Sequence, residues 1–160
     1  MFKVIDNFLP KKHHHDLKNL LESASFPWFF IKNSVGGNTN LFDCLMSHLY
    51  YSDEKINSDY FDSLKHLLSK INPKKLIRAR ANLLLAGHKL NKYLPHYDQD
   101  FKCKVAIYYV NTNNGYTLIQ NNKIESVENR IVIFDNEEHC GTNTTDSKNR
   151  VVINFNYYEF

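Results

Sequence analysis

Two side chains that could bind a metal ion lie close together in the sequence, at His96 and Asp98. Alternate side chains of an extended segment point to the same side, so this imidazole and this carboxylate would face a single point while Tyr97 points away. A second imidazole, from His139 on a later strand, would complete a set of two histidines and one carboxylate. That ligand set binds non-haem iron(II) and leaves coordination positions open for a chelating cosubstrate and dioxygen.

Arg150 offers a different chemistry, because its planar guanidinium is a fixed fork of donors for a carboxylate. The ten residues between His139 and Arg150 are almost all turn formers. Such a connection lets two strands return antiparallel, which would bring Arg150 back near the metal. Arg130 is the other candidate for binding this carboxylate. It begins its predicted strand beside a polar turn, however, and it does not follow His139 at the spacing that Arg150 has.

Two other features of the sequence could contribute metal ligands. The run His13–His15 stands at the start of a predicted helix, where such a run is typical of a solvated face. Cys140 follows His139 directly, but strand alternation turns it away, and a soft thiolate would shift the metal preference away from an oxygen-activating iron site. We therefore predict that His96, Asp98 and His139 are the ligands.

The composition indicates one folded domain. The chain has 160 residues, of which 42% are hydrophobic and 14% aromatic. This length is enough to bury a core, and the aromatic share favours a packed, β-rich interior over disorder. The formal net charge of +3 is too small to identify a partner, since it permits a nucleic acid without requiring one.

The cysteines and the hydrophobic pattern bear on the compartment. Three widely spaced cysteines, Cys44, Cys103 and Cys140, fit reduced thiols in a cytosol better than a disulfide framework. No apolar run reaches membrane-spanning length, and the first residues do not resemble a signal peptide. We expect a soluble cytoplasmic protein, in the cytoplasm of a host cell if its origin is viral.

Periodicity predicts a mainly β fold with flanking N-terminal helices. Apolar residues recur at helical spacing in residues 11–24 and 59–71. Short segments with strand patterns are separated by turns rich in Asn and Gly, and they lie at residues 2–9, 26–31, 75–85, 101–111, 116–120, 123–127, 130–134 and from 150 onward. This pattern indicates a double-stranded β-helix, the cupin-like jelly roll, with the metal inside its open end.

Alternation also assigns residues to the two faces of the long strands. On the last strand, polar residues share one face, which suits a lumen, and apolar residues share the other, which suits packing against the helices. The lumen set is Arg150, Val152, Asn154 and Asn156. In residues 75–85 the corresponding face carries Leu76, Arg78, Arg80 and Asn82, of which all but Leu76 are polar.

The order and spacing of His96-Tyr97-Asp98, His139 and Arg150 resemble the iron(II)- and 2-oxoglutarate-dependent oxygenases. The pattern is closest to the prolyl-hydroxylase-like branch and to the short versions carried by bacteriophages. The intervening segments 106–111, 114–117 and 129–135 resemble the family too. The resemblance extends from about Arg78 to Tyr158, with weaker likeness at residues 4–9 and 26–28.

The resemblance implies a role for each site residue and a single oxygenase domain at residues 1–160. Residues 1–75 would form its helical and strand support, and residues 76–160 its jelly-roll core. Iron(II) would bind to the two histidines and Asp98, and 2-oxoglutarate would bind to the iron. Arg150, helped by Tyr109, would anchor the distal carboxylate of 2-oxoglutarate, while Asn82 is a further candidate contact. Dioxygen is the other cosubstrate, and ascorbate is a further candidate cofactor.

The activity implied by this resemblance is hydroxylation of an unactivated C–H bond, with peptidyl proline as the leading substrate. A protein, peptide or small molecule is favoured over a nucleic acid, because only Lys74, Lys75, Arg78 and Arg80 approach a basic cluster. Two alternatives remain, a demethylase of nucleic-acid bases and a non-enzymatic metal-binding jelly roll. We expect no membrane partner, and a monomer is compatible with the sequence.

Overall fold

A computed structural model describes residues 1–32 and 44–159. The composition of residues 34–40, rich in Gly and Asn, predicts a loop, and this segment lies outside the described residues. The helices of the described residues are α1 (Lys11–Glu22) and α2 (Lys65–Ile71), the latter preceded by a 3-10 turn (Phe61–Leu64). The strands are β1 (Phe2–Ile5), β2 (Phe29–Ile31), β3 (Leu45–Ser52), β4 (Lys55–Ile56), β5 (Lys75–Leu85), β6 (Lys104–Tyr109), β7 (Tyr116–Ile119), β8 (Asn122–Glu125), β9 (Arg130–Asp135), β10 (His139–Gly141) and β11 (Asn149–Tyr158).

The strands form a large and a small antiparallel sheet. The large sheet has the order β1-β9-β6-β11-β5-β3-β2, with β4 paired to β3, and the small sheet has the order β10-β7-β8. β11 therefore lies between β5 and β6, and it pairs with β5 from Asn149 to Tyr158. The segment before residue 75 supplies the edge strand β1 and the opposite edge of the same sheet.

Each face of the large sheet is covered by a different layer. Ala106 and Tyr108 of β6 point to a core shared with Leu17 of α1 and Leu67 of α2. Alternate residues of the same strand, such as Ile107, point to a second core between the two sheets. The alternation predicted for β11 is confirmed, because Ile153 and Phe155 lie in the first core and Val152 lies in the second, on the side of the small sheet.

Some predicted elements are shorter in the structure, for identifiable reasons. The aromatic segment 26–31 pairs only as β2, because Phe26 is buried in the core and Pro27 has no N–H to donate to a ladder. The strand predicted to begin at residue 101 begins at Lys104. The side-chain amide of Asn136 donates to the carbonyls of Gln99 and Phe101, which replaces sheet pairing there.

No described helix is long and apolar enough to cross a membrane.

Asn129 joins the N-terminal segment to the sheet. Its Oδ1 accepts from the N–H of Leu9 at 2.8 Å and from the hydroxyl of Tyr108 at 2.9 Å, and its Nδ2 donates to the carbonyl of Leu9 at 2.8 Å. His14 of α1 donates to the same Tyr108 oxygen, at 2.7 Å, because the Tyr108 proton is already directed at Asn129. All these groups are buried, so their bonds have no ready replacement from water.

We predict that Asn129→Ala lowers the free energy of unfolding by about 4 kcal/mol, since it leaves the buried N–H and carbonyl of Leu9 unpaired, removes the acceptor of the Tyr108 hydroxyl proton and places alanine at a positive φ. The matched control is Asn72→Ala, because Asn72 also has a positive φ (51° against 60°) but an exposed side chain. The control should lose only about 1 kcal/mol. Urea denaturation of both variants measures the difference, and equal losses would contradict the structural role given to the Asn129 amide.

Candidate metal centre

His96 and His139 lie opposite each other in a short antiparallel pairing. The backbone N–H of each residue donates to the carbonyl of the other, both at 3.0 Å. His139 begins β10 at one edge of the small sheet, and His96 lies in the connection between β5 and β6. This pairing places the two rings side by side, with centroids 4.7 Å apart.

Backbone carbonyls determine which nitrogen of each ring faces the centre. Nδ1 of His96 lies 3.0 Å from the carbonyl oxygen of Leu94, and Nδ1 of His139 lies 2.9 Å from that of Glu137. A carbonyl only accepts, so both Nδ1 atoms donate, and each neutral ring keeps a lone pair on Nε2. Nε2 of His139 is buried and has no hydrogen-bond partner.

The carboxylate of Asp98 faces both Nε2 atoms. Its Oδ1 lies 3.8 Å from Nε2 of His96, and its Oδ2 lies 4.0 Å from Nε2 of His139. One ligand atom from each residue lies within 4.8 Å of the others, close enough for a single ion to contact all three. The three residues that the sequence predicts as ligands are therefore brought together.

Side chains from two sheet strands hold Asp98 in place. Nη2 of Arg78 on β5 donates to Oδ1 at 2.8 Å, and Nδ2 of Asn156 on β11 donates to Oδ2 at 2.8 Å. Nε of Arg78 also donates to Oδ1 of Asn156, at 2.9 Å. Such contacts behind a ligand fix its orientation and tune its affinity for a metal.

The pKa values of the site favour the protonation state that a metal requires. Burial raises the pKa of Asp98, but Arg78, His139 and the Asn156 bond outweigh it, so the pKa lies below its ordinary value. Burial lowers the pKa of His139, because it disfavours the charged imidazolium. At neutral pH the cluster consists of an ionised carboxylate beside a neutral imidazole.

Arg150 lines a cavity that His96 and His139 also line. The residue is 2% exposed, its Nε donates to the hydroxyl of Ser126 at 2.7 Å, and its Nη2 donates to that of Thr117 at 2.9 Å. Tyr109 donates to the same Thr117 oxygen at 2.9 Å, and its ring centroid lies 5.6 Å from the guanidinium carbon. No carboxylate of the described residues pairs with Arg150, so its positive charge is available to a ligand.

Two glycines make room for the Arg150 side chain. A Cβ atom at Gly115 would lie 2.6 Å from Cδ of Arg150 and 2.5 Å from the carbonyl oxygen of Asn143, closer than real Cβ contacts. A Cβ atom at Gly141 would lie 3.2 Å from Nη1 of Arg150. Larger residues at these positions would push the guanidinium from its place beside the cavity.

Unpaired buried polar atoms surround the cavity between Arg150 and the three ligands. Besides Nε2 of His139, they are Oδ1 of Asn82, Oδ1 of Asn154 and Nε of Arg80. Buried polar atoms of folded proteins are normally hydrogen-bonded, so a cluster of exceptions around one cavity indicates a site for a polar ligand. The rest of the wall is largely apolar, with Leu84, Ile107 and Val152 among its residues.

The other predicted candidates lie in different surroundings. Asn82 lines the cavity, whereas the buried hydroxyl of Tyr109 reaches only the Thr117 that also supports Arg150. The competing anchor Arg130 donates twice to the carboxylate of Asp6, at 2.6 and 3.1 Å.

Neither alternative source of metal ligands joins the cluster. In the histidine run, His14 binds Tyr108 and His13 stacks on the ring of His66 at 3.6 Å. Cys140 is buried and is not one of the three clustered ligands.

The sequence does not identify every residue of the site. Its patterns point neither to Thr117 and Ser126, whose side chains orient Arg150, nor to the contacts that Arg78 and Asn156 make with Asp98. Alternation along β5 and β11 places Arg78 and Asn156 on the lumen face. For Thr117 and Ser126 the sequence holds no comparable signal.

Comparison with known proteins supports the fold. No protein-family model matches the chain, and no curated protein matches it. The structure is similar to a prolyl hydroxylase from Trichoplax adhaerens in complex with a fragment of the hypoxia inducible factor oxygen degradation domain (TM-score 0.68, 16% identity, covering 98% of this chain and 83% of that one). It is similar to a 2OG-Fe(II) oxygenase family oxidoreductase from Burkholderia pseudomallei (TM-score 0.70, 10% identity, covering 98% of this chain and 84% of that one). It is also similar to a Pseudomonas putida prolyl-4-hydroxylase (TM-score 0.61, 14% identity, covering 99% of this chain and 92% of that one). The predicted jelly-roll fold is confirmed.

We predict that cobalt(II), used as an air-stable probe, raises the midpoint of thermal unfolding of the metal-free protein. A metal that binds only the folded state adds about 2.7 kcal/mol at 100 times its dissociation constant, roughly 5–10 °C for a domain of this size. His139→Ala should abolish the rise, because the ion loses a buried neutral imidazole. His15→Ala, on the exposed side of α1, is the control and should retain it. A full rise with His139→Ala would place the metal elsewhere.

Proposed function

We propose that the protein is an iron(II)- and 2-oxoglutarate-dependent oxygenase that hydroxylates an unactivated C–H bond. The observation that carries this proposal is one cavity lined by the two histidines of a two-histidine, one-carboxylate cluster and by a buried arginine that has no carboxylate partner among the described residues. The cluster has the donor set of non-haem iron(II) sites. The arginine suits the far carboxylate of a cosubstrate that chelates the metal.

Both the residue types of the three ligands and the state of their ligand atoms fit iron(II). His96 and His139 present Nε2 lone pairs, and Asp98 is held ionised by Arg78. When bound, iron(II) and 2-oxoglutarate would supply the oxidising power, and the overall reaction converts a C–H bond, dioxygen and 2-oxoglutarate into an alcohol, succinate and carbon dioxide. The task of the chain is to bind, to orient and to exclude water.

Arg150 would bind the distal carboxylate of 2-oxoglutarate in a direction that is fixed before binding. Ser126 and Thr117 already hold the guanidinium, so little side-chain entropy is lost when the ligand arrives. Tyr109 acts in this proposal through Thr117, as a positioning residue. Asn82, with an unpaired Oδ1 in the same wall, would accept a hydrogen bond from a bound water or substrate group.

Peptidyl proline remains the leading proposed substrate, and the similar prolyl hydroxylases support that choice by fold alone. The basic cluster that would favour a nucleic acid is partly neutralised, since Lys75 pairs with Glu54 and Arg78 pairs with Asp98. Incubation of the iron-loaded protein with 2-oxoglutarate and panels of proline peptides and methylated oligonucleotides tests the proposal. Succinate formation coupled to peptide hydroxylation supports it. Turnover of oligonucleotides alone would indicate that the substrate is a nucleic-acid base and not peptidyl proline. Binding of zinc without any turnover would indicate a non-enzymatic metal-binding module.

We predict that Arg150→Ala weakens 2-oxoglutarate binding to the manganese-loaded protein by about 100-fold, since a charge-assisted bidentate contact is worth about 3 kcal/mol. Isothermal titration calorimetry measures this affinity without a known substrate. Arg130→Ala removes an arginine that is bound to Asp6 outside the cavity, and it should leave the affinity unchanged. Equal affinities of the parent and Arg150→Ala would exclude Arg150 as the anchor.

A further inference from the structure

A second arginine of the cavity, Arg80, is partly buried and forms no ion pair with the described residues. The chain has four arginines, all of them described. Arg78 pairs with Asp98 at 2.8 Å, Arg130 pairs with Asp6 at 2.6 Å, and Arg150 is held by two hydroxyls. Arg80 has no carboxylate oxygen of the described residues within 4.0 Å, and its buried Nε has no hydrogen-bond partner.

Arg80 lies at the junction of the metal cavity and an open groove. It is opposite Asn154 of β11 and Leu49 of β3 in the sheet. Its side chain lines the metal cavity and also lines a groove shared with Arg78, Phe101 and Tyr158. A substrate that lies in this groove would contact Arg80 on its way to the metal.

The charges around the junction favour binding of an anion. Among the described residues, the guanidinium groups of Arg78, Arg80 and Arg150 and the carboxylate of Asp98 leave a net charge of +2. A doubly charged cosubstrate and iron(II) cancel each other, so this excess persists in the loaded protein. The other described charges of the groove leave the excess unchanged, because Lys75 and Glu54 pair with each other and Asp53 is exposed to water. Charged groups that are partly withdrawn from water are normally paired, because desolvation disfavours an unpaired charge.

We infer that Arg80 is a specificity-determining residue that binds a carboxylate of the substrate beside the carbon to be oxidised. The inference rests on the proposed function and names the class of substrate, an acid. A planar carboxylate accepts two parallel bonds from one guanidinium, which is the geometry that a single arginine satisfies best. The carboxylate belongs either to a free amino acid or to a peptide, as an acidic neighbour or a chain end.

Paired probes that differ only in the charge test this inference. One set consists of free amino acids, including proline, and their carboxamides, and the other consists of peptides with Pro-Glu against Pro-Gln. Binding to the protein loaded with manganese and 2-oxoglutarate is measured by calorimetry, and turnover of the iron-loaded protein is measured as succinate. We expect at least one acid to bind about 10-fold or more tightly than its neutral counterpart, as a charged hydrogen bond of 1.5–3 kcal/mol requires. The set that contains it identifies the source of the carboxylate.

Arg80→Gln should abolish this preference, Arg80→Lys should restore part of it, and Arg130→Gln is the control that should keep it. The affinity for 2-oxoglutarate should not change in Arg80→Gln. Its thermal midpoint should not fall, because the substitution removes a partly buried charge that forms no ion pair with the described residues.

Three results would overturn the inference. In the first, no acid binds more tightly than its amide to the parent protein. In the second, Arg80→Gln weakens 2-oxoglutarate binding as Arg150→Ala does, which would make Arg80 a cosubstrate anchor. In the third, Arg80→Gln lowers stability but keeps the preference, which would make its role structural. Failure of the proposed function is distinguishable, because the protein would then neither bind 2-oxoglutarate nor form succinate.

Discussion

The site depends on the pairing of β11 with β5 on one side and with β6 on the other. Because side chains alternate along β11, this register directs Arg150 and Asn154 into the cavity and Asn156 to the Asp98 carboxylate, while Ile153 and Phe155 fill the core beneath the helices. A slip of one residue would exchange the two sets and would place charged groups in the core. The burial of the apolar face therefore also positions the groups that face the ligand.

The cavity combines groups that a structural core would exclude. Arg78 and Asn156 compensate the Asp98 carboxylate, whereas His139, Asn82, Asn154 and Arg80 keep unpaired polar atoms. Each unpaired buried group costs about 1–3 kcal/mol, so their clustering opposes folding. The extensive apolar contacts on the other face of the large sheet offset that cost, and ligands would recover it on binding. Departures from full hydrogen bonding are expected at functional sites for this reason.

The sequence predicts the fold and part of the site, since both depend on local patterns. Alternation identifies the two faces of β5, β6 and β11, and the order of His96, Asp98, His139 and Arg150 suggests one centre. Other features arise from contacts distant in sequence. β10 is only His139–Gly141 and exists through pairing with β7, and Thr117 meets Arg150 because the small sheet closes over the large one. That Arg80 forms no ion pair among the described residues also depends on contacts distant in sequence, and no local pattern predicts it.

Anaerobic titration of the metal-free protein with iron(II) and 2-oxoglutarate tests whether one cavity binds both together, as we propose. Chelation of iron(II) by the 2-oxo acid gives a metal-to-ligand charge-transfer band in visible light. We expect this band for the parent protein, its loss in His96→Ala, and a much higher 2-oxoglutarate requirement in Arg150→Ala. A folded parent protein that shows no band would exclude joint binding of iron(II) and 2-oxoglutarate at this site.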